Sequence, residues 1–445
     1  MVTVRLTHIV RPSEAKPDEI MYLHATDQIN EIAHTPTIYF YKHTAALDST
    51  DPILRLKHSL SKALVLFYPL AGRLVWAAEG GGRVELHCNG KGVPIFEAES
   101  EAAVEDFGDF SPTPAMRSLF PPTTDYTTTP IDEIPVLTVQ LTRFRCGGVS
   151  IVLGISHVIA DGPSSLHFID EWAKISRGGE DQVVIPPYLD RKVLDTYPPL
   201  SSAFDPAVLR PVPALIGQED NLEQPRKIVA ALLNLSKLQI ENLRSKSNVN
   251  AVRRYTRFEA VAAHIWRCTT KARRHAAEQE TSILTVADFR NKMNPPLPKN
   301  YFGNALIRVK AMDKSGSLLS NSVGAAAEKI HEAVERETED TVRAYLEYLK
   351  GLPDVRKFRS LENDGRLKAD GLRDPNLAIV SWTAMPLYGT DFGWGKEIHM
   401  GTLAIGADGL TFIIPSRDGD GAFNIVIWLQ EQHMPDFKKY FYHDI

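Results

Sequence analysis

Cysteine is scarce in this chain, at three of 445 residues. Cys88, Cys146 and Cys268 stand far apart and form no CxxC pair. That excludes a disulfide framework and offers no zinc-ligand spacing, so a reducing compartment is expected. An excess of charge of one sign is also missing: 50 Lys and Arg stand against 55 Asp and Glu, for a net charge of −5. Without a basic surplus there is no footprint for phosphate backbones and no polybasic anchor for anionic lipid. Neither nucleic acid nor a membrane is therefore expected as a partner. No apolar run approaches the roughly 18 residues of a membrane span. The opening MVTVRLTHIVRPSE lacks the pattern of an export signal, and the closing FYHDI carries no lipidation box. A cytoplasmic monomer with small-molecule partners is the expectation. Repeats and low-complexity blocks are absent as well, and the glycine run in EGGGR lacks the lysine and following helix of a phosphate loop.

What is present is a globular composition, with 43% hydrophobic and 24% charged residues, on a length sufficient for two ordinary domains. The segment 184–213, VIPPYLDRKVLDTYPPLSSAFDPAVLRPVP, holds seven prolines. Proline fixes φ and removes a donor, which predicts an extended crossover between a first domain, 1–183, and a second, 214–445. In the first, ILRLKHSLSKALVLF has helical spacing, and GRLVWAAEGGGRVELHC reads as strand, glycine turn, strand. In the second, FEAVAAHIWRCTTKARRHAAEQ reads as helix and GNALIRVKAM as strand. A long helical stretch is predicted from about Leu318 to Leu352, and LTFIIPS and FNIVIWLQ as a closing hairpin. Strands and helices mix in both parts without strict alternation, giving an α/β fold of two layered domains with mixed sheets.

The stretch SHVIADG, 156–162, follows GVSIVLGI, where Val149, Ile151, Leu153 and Ile155 alternate as the buried row of a strand. His157 continues that row at the strand's end. Gly162 and Pro163 then open a helix carrying Leu166, Ile169, Trp172 and Ala173 on one face. An inward-facing histidine on a strand-to-helix turn is well placed for a base. A satisfied core histidine and a helix cap at Asp161 account for the same residues.

A second stretch decides between these readings. DFGWG, at Asp391–Gly395, together with HxxxDG at His157, Asp161 and Gly162, resembles the BAHD acyltransferases, plant enzymes that move an acyl group from coenzyme A to an alcohol or amine. TPTIYFY, FYPLAGRL, HIWR, PPLPKNYFGN and HMPDFKKYF also resemble family segments, so the likeness covers nearly the whole chain. It implies two similar-sized domains of the chloramphenicol acetyltransferase type, with a channel at their interface. It implies a coenzyme A thioester as co-substrate, no permanently bound cofactor and no metal. His157 is then the general base, since an imidazole with a pKa near 6.5 can take the acceptor's proton at cellular pH. Asp161, turned away and held by Arg290, is structural, as are Asp391, Gly393 and Gly395 on the coenzyme A side. Trp394 is nominated as the oxyanion donor, with Thr35, Thr37 and Tyr39 lining the pocket. Arg254, Thr256 and Arg257 match the region where relatives contact the nucleotide. A covalent route through Cys146 has no base supplied by its neighbours.

For the acceptor, DQINEIAHTPTIYFYK, EDFGDFSPTP, DNLEQPRK and PLYGTDFGWGKE are similar to spermidine hydroxycinnamoyl transferases. Relatives that acylate shikimate or quinate carry arginine in SWxRLP, where this chain has Ala384 in SWTAMP. A polyamine calls for carboxylates, and Asp27, Glu31 and Glu397 are the candidates. The chain departs from the polyamine pattern at LHATDQ, in place of LSxWDQ. O-acylation of a specialised alcohol, such as an alkaloid hydroxyl, is the alternative. A ligand-binding homologue that has lost catalysis is the alternative of another class.

Overall fold

The computed structural model describes residues 2–121, 126, 128–178, 183–198, 204–209, 212–216, 227–359, 373–403 and 406–445. Two six-stranded sheets dominate. In the first, the order is Val2–Val10, Val93–Ser100, Leu137–Phe144, Val149–Ser156, His34–Tyr41, His399–Thr402. In the second it is Leu306–Lys314, Glu280–Asp288, Leu377–Ser381, Leu410–Pro415, Phe423–Gln430, Ile228–Leu235. Most neighbours run antiparallel. Val93–Ser100 pairs in parallel with Leu137–Phe144, and Leu377–Ser381 in parallel with both its neighbours, so both sheets are mixed. The predicted GRLVW hairpin forms a small third sheet with Ile20–Met21.

Period-two alternation turns successive side chains to opposite faces, and in the central strands both faces are buried. In the first sheet Ile151, Leu153 and Ile155 join one cluster, while Val152 joins another with Ile38 and Phe40. In the second, Ile413, Ile425, Ile427 and Leu429 pack under the helices Arg257–Arg273 and Met434–His443. The opposite row, Phe412, Ile414, Val426 and Trp428, belongs to the same core cluster as Tyr39, Ile151 and Leu153. The two halves therefore share apolar core.

They also share a sheet. His399–Thr402, from the second half of the sequence, pairs antiparallel with His34–Tyr41, in the register His399↔Phe40 to Thr402↔Thr37. Among the described residues, the crossover after Ile185 holds a bridge from Tyr188 to Tyr301 and short 3₁₀ turns at Arg191–Thr196 and Pro206–Leu209. Residues 199–203 and 210–211 of it, and most of DNLEQPRK, lie outside the described residues.

The predicted helix over 318–352 is instead three: Ser315–Ser320, Val323–Glu335 and Glu339–Lys350. The breaks are chemical, because Ser322 and Thr338 turn their hydroxyls onto Ala325 N and Thr341 N and restart the helix as caps.

Candidate active site

The strand Val149–Ser156 ends one residue before His157, and the helix Gly162–Arg177 begins five residues after it. The five-residue turn between them is pinned through its backbone. His157 N donates to Ala33 O at 3.2 Å and Val158 N to Glu31 O at 2.9 Å. Asn304 Nδ2 donates to His157 O at 2.9 Å, and Arg191 Nη2 to Ile159 O at 2.9 Å. The imidazole itself is half-buried, and its Nδ1 has no hydrogen-bond partner among the described residues.

His34, paired with Ser156 in the adjacent strand, is the instructive contrast. Its Nδ1 meets the Tyr126 hydroxyl and its Nε2 meets Pro135 O at 2.8 Å. Burial lowers its pKa to about 4, so it is neutral with both nitrogens occupied. A histidine so engaged has no lone pair to offer a substrate, whereas His157 is held by its backbone and its Nδ1 makes no hydrogen bond among the described residues.

Asp161 caps the following helix, accepting from Ser164 N at 3.0 Å. It also accepts from Ala305 N at 3.0 Å and from Arg290 Nη2 at 2.9 Å, so the capping role and the arginine pair coexist. Burial pulls the Arg290 pKa down, but the charges of Asp161 and Asp288 outweigh it and the net shift is upward. Arg290 stays charged and ties Phe289–Arg290 of the second half to the helix start of the first.

The DFGWG turn sits elsewhere. Asp391 Oδ1 accepts from Gly393 N at 2.7 Å and Gly395 N at 3.0 Å. Gly393 has φ 105°, and a Cβ on it would strike the Arg55 guanidinium, so only glycine fits. Ser176 Oγ donates to Phe392 O at 2.8 Å. The turn therefore meets the far end of the 16-residue helix that starts beside His157, about 24 Å away at 1.5 Å per residue. Trp394 is buried against Tyr41 and Phe392, with ring centroids 5.8 and 5.9 Å apart. Tyr41 closes the strand whose other end holds His34. The nomination of Trp394 as oxyanion donor is thus corrected: its indole N–H, unpartnered among the described residues, lies at the wrong end of both elements.

Other expected site residues divide in the same way. Thr35 is exposed and Thr37 half-buried, on the strand beside the histidine turn, with Thr35 Oγ1 donating to Ile155 O at 3.1 Å. Tyr39 is wholly buried, and burial followed by the charge of Glu397 pushes its hydroxyl pKa up. Ala384 is exposed, and its neighbour Met385 reaches Gly162, with Sδ 3.1 Å from where a glycine-borne Cβ would stand. The SWTAMP turn therefore borders the histidine box. Glu397 is buried, with Oε1 accepting from Gly389 N at 2.9 Å and Oε2 unpartnered among the described residues.

Three assignments change. Asp27 cannot meet an acceptor at a channel mouth, because it is wholly buried and pairs with Arg191 Nε at 3.0 Å, His24 N at 3.0 Å and Asn304 N at 2.9 Å. Thr256 is the cap of the Arg257–Arg273 helix in a box with Glu259, and Arg257 pairs with Glu241 at 2.6 Å, so both have structural employment. Arg254 is exposed. Glu31 contributes through its backbone, accepting from Val158 N. The network of Asn304 and Arg191 was missed: Asn304 lies in PPLPKNYFGN, where nothing in the spacing sets it apart, and Arg191 lies in the proline-rich crossover. Among the described residues no cluster of His, Cys, Asp and Glu could hold a metal ion, and no helix is long and apolar enough to cross a membrane.

The profile of the Transferase family matches residues 1–444. The hydroxycinnamoyl-CoA:piscidic acid hydroxycinnamoyltransferase of Actaea racemosa is 41% identical over 100% of both chains. The shikimate O-hydroxycinnamoyltransferase of Nicotiana tabacum is 37% identical over 99% of both. Among solved structures, vinorine synthase superposes with a TM-score of 0.73 at 23% identity, covering 98% of this chain and 96% of its own. That likeness shows the fold: two α/β domains with mixed sheets. With family pattern and full-length relatives in agreement, the chain belongs to the Transferase family of BAHD acyltransferases, acting on an acyl-coenzyme A thioester as co-substrate.

Proposed function

We propose that the protein transfers a hydroxycinnamoyl group from its coenzyme A thioester to an amine of a polyamine such as spermidine, with His157 as general base. The observation that carries the acceptor half is the chemistry beside the histidine turn. Where a carboxylate-reading arginine would stand there is Ala384, in the loop that touches Gly162. Away from that turn, just beyond DFGWG, the buried Glu397 keeps its Oε2 without a hydrogen-bond partner among the described residues, an acceptor for N–H donors. Losing an arginine partner costs an anionic acceptor about 2–5 kcal/mol if that pair is desolvated, and ammonium groups gain from charge-assisted bonds to carboxylates. In the reaction the acceptor nitrogen attacks the thioester carbonyl as the imidazole of His157 takes its proton. The tetrahedral adduct collapses with cleavage of the carbon–sulfur bond, and the imidazolium returns the proton to the leaving thiolate.

A second reading has its own support. The relatives at 41% and 37% identity are named for piscidic acid and shikimate, hydroxyl acceptors that carry carboxylates. The experiment is a matrix of p-coumaroyl-, caffeoyl- and acetyl-coenzyme A against spermidine, putrescine, agmatine, shikimate and piscidic acid, followed by thiol release and product mass. Acylated spermidine with hydroxycinnamoyl donors supports the first reading. Esters of the acids alone replace it with the second. Absence of thiol release with every pair overturns both.

A further inference from the structure

Residues outside the two motifs hold the histidine turn; from the second half Arg290 reaches its Asp161 side chain, and Asn304 reaches its backbone at His157 itself. Asn304 is 1% exposed. Its Nδ2 donates both to His157 O and to Asp27 Oδ1, each at 2.9 Å, and its backbone N donates to the same Asp27 oxygen at 2.9 Å. The other Asp27 oxygen takes Arg191 Nε at 3.0 Å, and Arg191 Nη2 reaches Ile159 O at 2.9 Å. A closed circuit thus runs from His157 through Asn304, Asp27 and Arg191 to Ile159. It spans the turn with residues from the first half, the crossover and the second half.

The amide orientation follows from the partners. Both are acceptors, so the NH₂ group must face them. That leaves Asn304 Oδ1 buried without a partner among the described residues, a cost that native folds usually avoid. A residue serving only to join the two halves would gain nothing from this arrangement. One that fixes the His157 carbonyl, and with it the ring three bonds from the carbonyl carbon, gains from every donor it commits.

We propose that Asn304 is a positioning residue for the base, acting through the His157 backbone and itself oriented by the Asp27–Arg191 pair. The inference rests on His157 being the base. Displacement of a reacting group by 1 Å can cost about 10²-fold in rate. Asn304→Ala in the full chain is therefore expected to lower kcat about 10- to 100-fold. The KM for acyl-coenzyme A, and the Kd of coenzyme A by calorimetry, should stay within about twofold. Because the effect passes through the imidazole, Asn304→Ala added to His157→Ala should leave the residual rate of the single variant unchanged. Asn304→Ser keeps one donor, is expected to recover part of kcat, and replaces the alanine variant should that one fail to fold. Wild-type turnover in Asn304→Ala overturns the proposal, as does an equal loss in the presence and absence of His157. If His157→Ala itself retains full turnover, the base assignment falls first and this inference with it, so the two failures are told apart.

Discussion

The two motifs that carry the family likeness are built on different plans. The turn around His157 is fixed from outside, through bonds from its backbone to Ala33, Glu31, Asn304 and Arg191, and its ring Nδ1 has no partner among the described residues. The turn around Asp391 adds an internal brace, one carboxylate oxygen on two glycine N–H groups, to the outside bonds from Ser176 and Thr44, and its tryptophan is packed into aromatic core. The strength of a sequence motif thus measures how tightly its backbone chemistry is constrained, and says little about distance from the reacting atoms.

Four substitutions test this contrast. The largest effect is expected from His157→Ala, which should lower kcat about 10²- to 10⁴-fold while coenzyme A still binds; preserved turnover would erase the distinction between the motifs. Arg290→Met follows. It leaves Asp161 buried without its charge partner, at about 3–5 kcal/mol, seen as a fall in denaturation midpoint with activity lost in step. Ala384→Arg should then shift the ratio of kcat/KM toward carboxylate-bearing acceptors and away from spermidine by about 2 kcal/mol or more, measured by competition in one mixture. Trp394→Phe is expected to change kcat by less than about twofold and to cost about 1–2 kcal/mol of stability for the lost packing volume. A hundredfold fall in kcat there would restore Trp394 to the chemistry and reverse the comparison.

Much of the fold was legible because it rests on local signals. The alternation before His157, the Gly162–Pro163 helix start and the closing hairpin each depend on residues within a few positions of one another, and each forms where the pattern puts it. The helix breaks at Ser322 and Thr338 were present as capping residues but were overridden by the apolar period on either side. What could not be read were contacts made by chain reversal. Asp27 was named as a carboxylate for the acceptor because no periodicity marks its burial; only its meeting with Arg191 and Asn304 explains it. Trp394 was nominated as the oxyanion donor although the likeness put DFGWG on the coenzyme A side, and a helix of 16 residues separates it from the histidine.

The return of His399–Thr402 to the first sheet has a consequence for how the chain is made. A polypeptide leaving the ribosome presents the His34–Tyr41 strand early, with one flank served by Val149–Ser156 and the other bare. That bare flank is an unpaired edge, the kind of surface on which nascent chains stick to one another. It stays open until the last tenth of the protein is synthesised, so a truncated message would yield a first half with an exposed, aggregation-prone margin, and chaperone dependence should be concentrated in that interval.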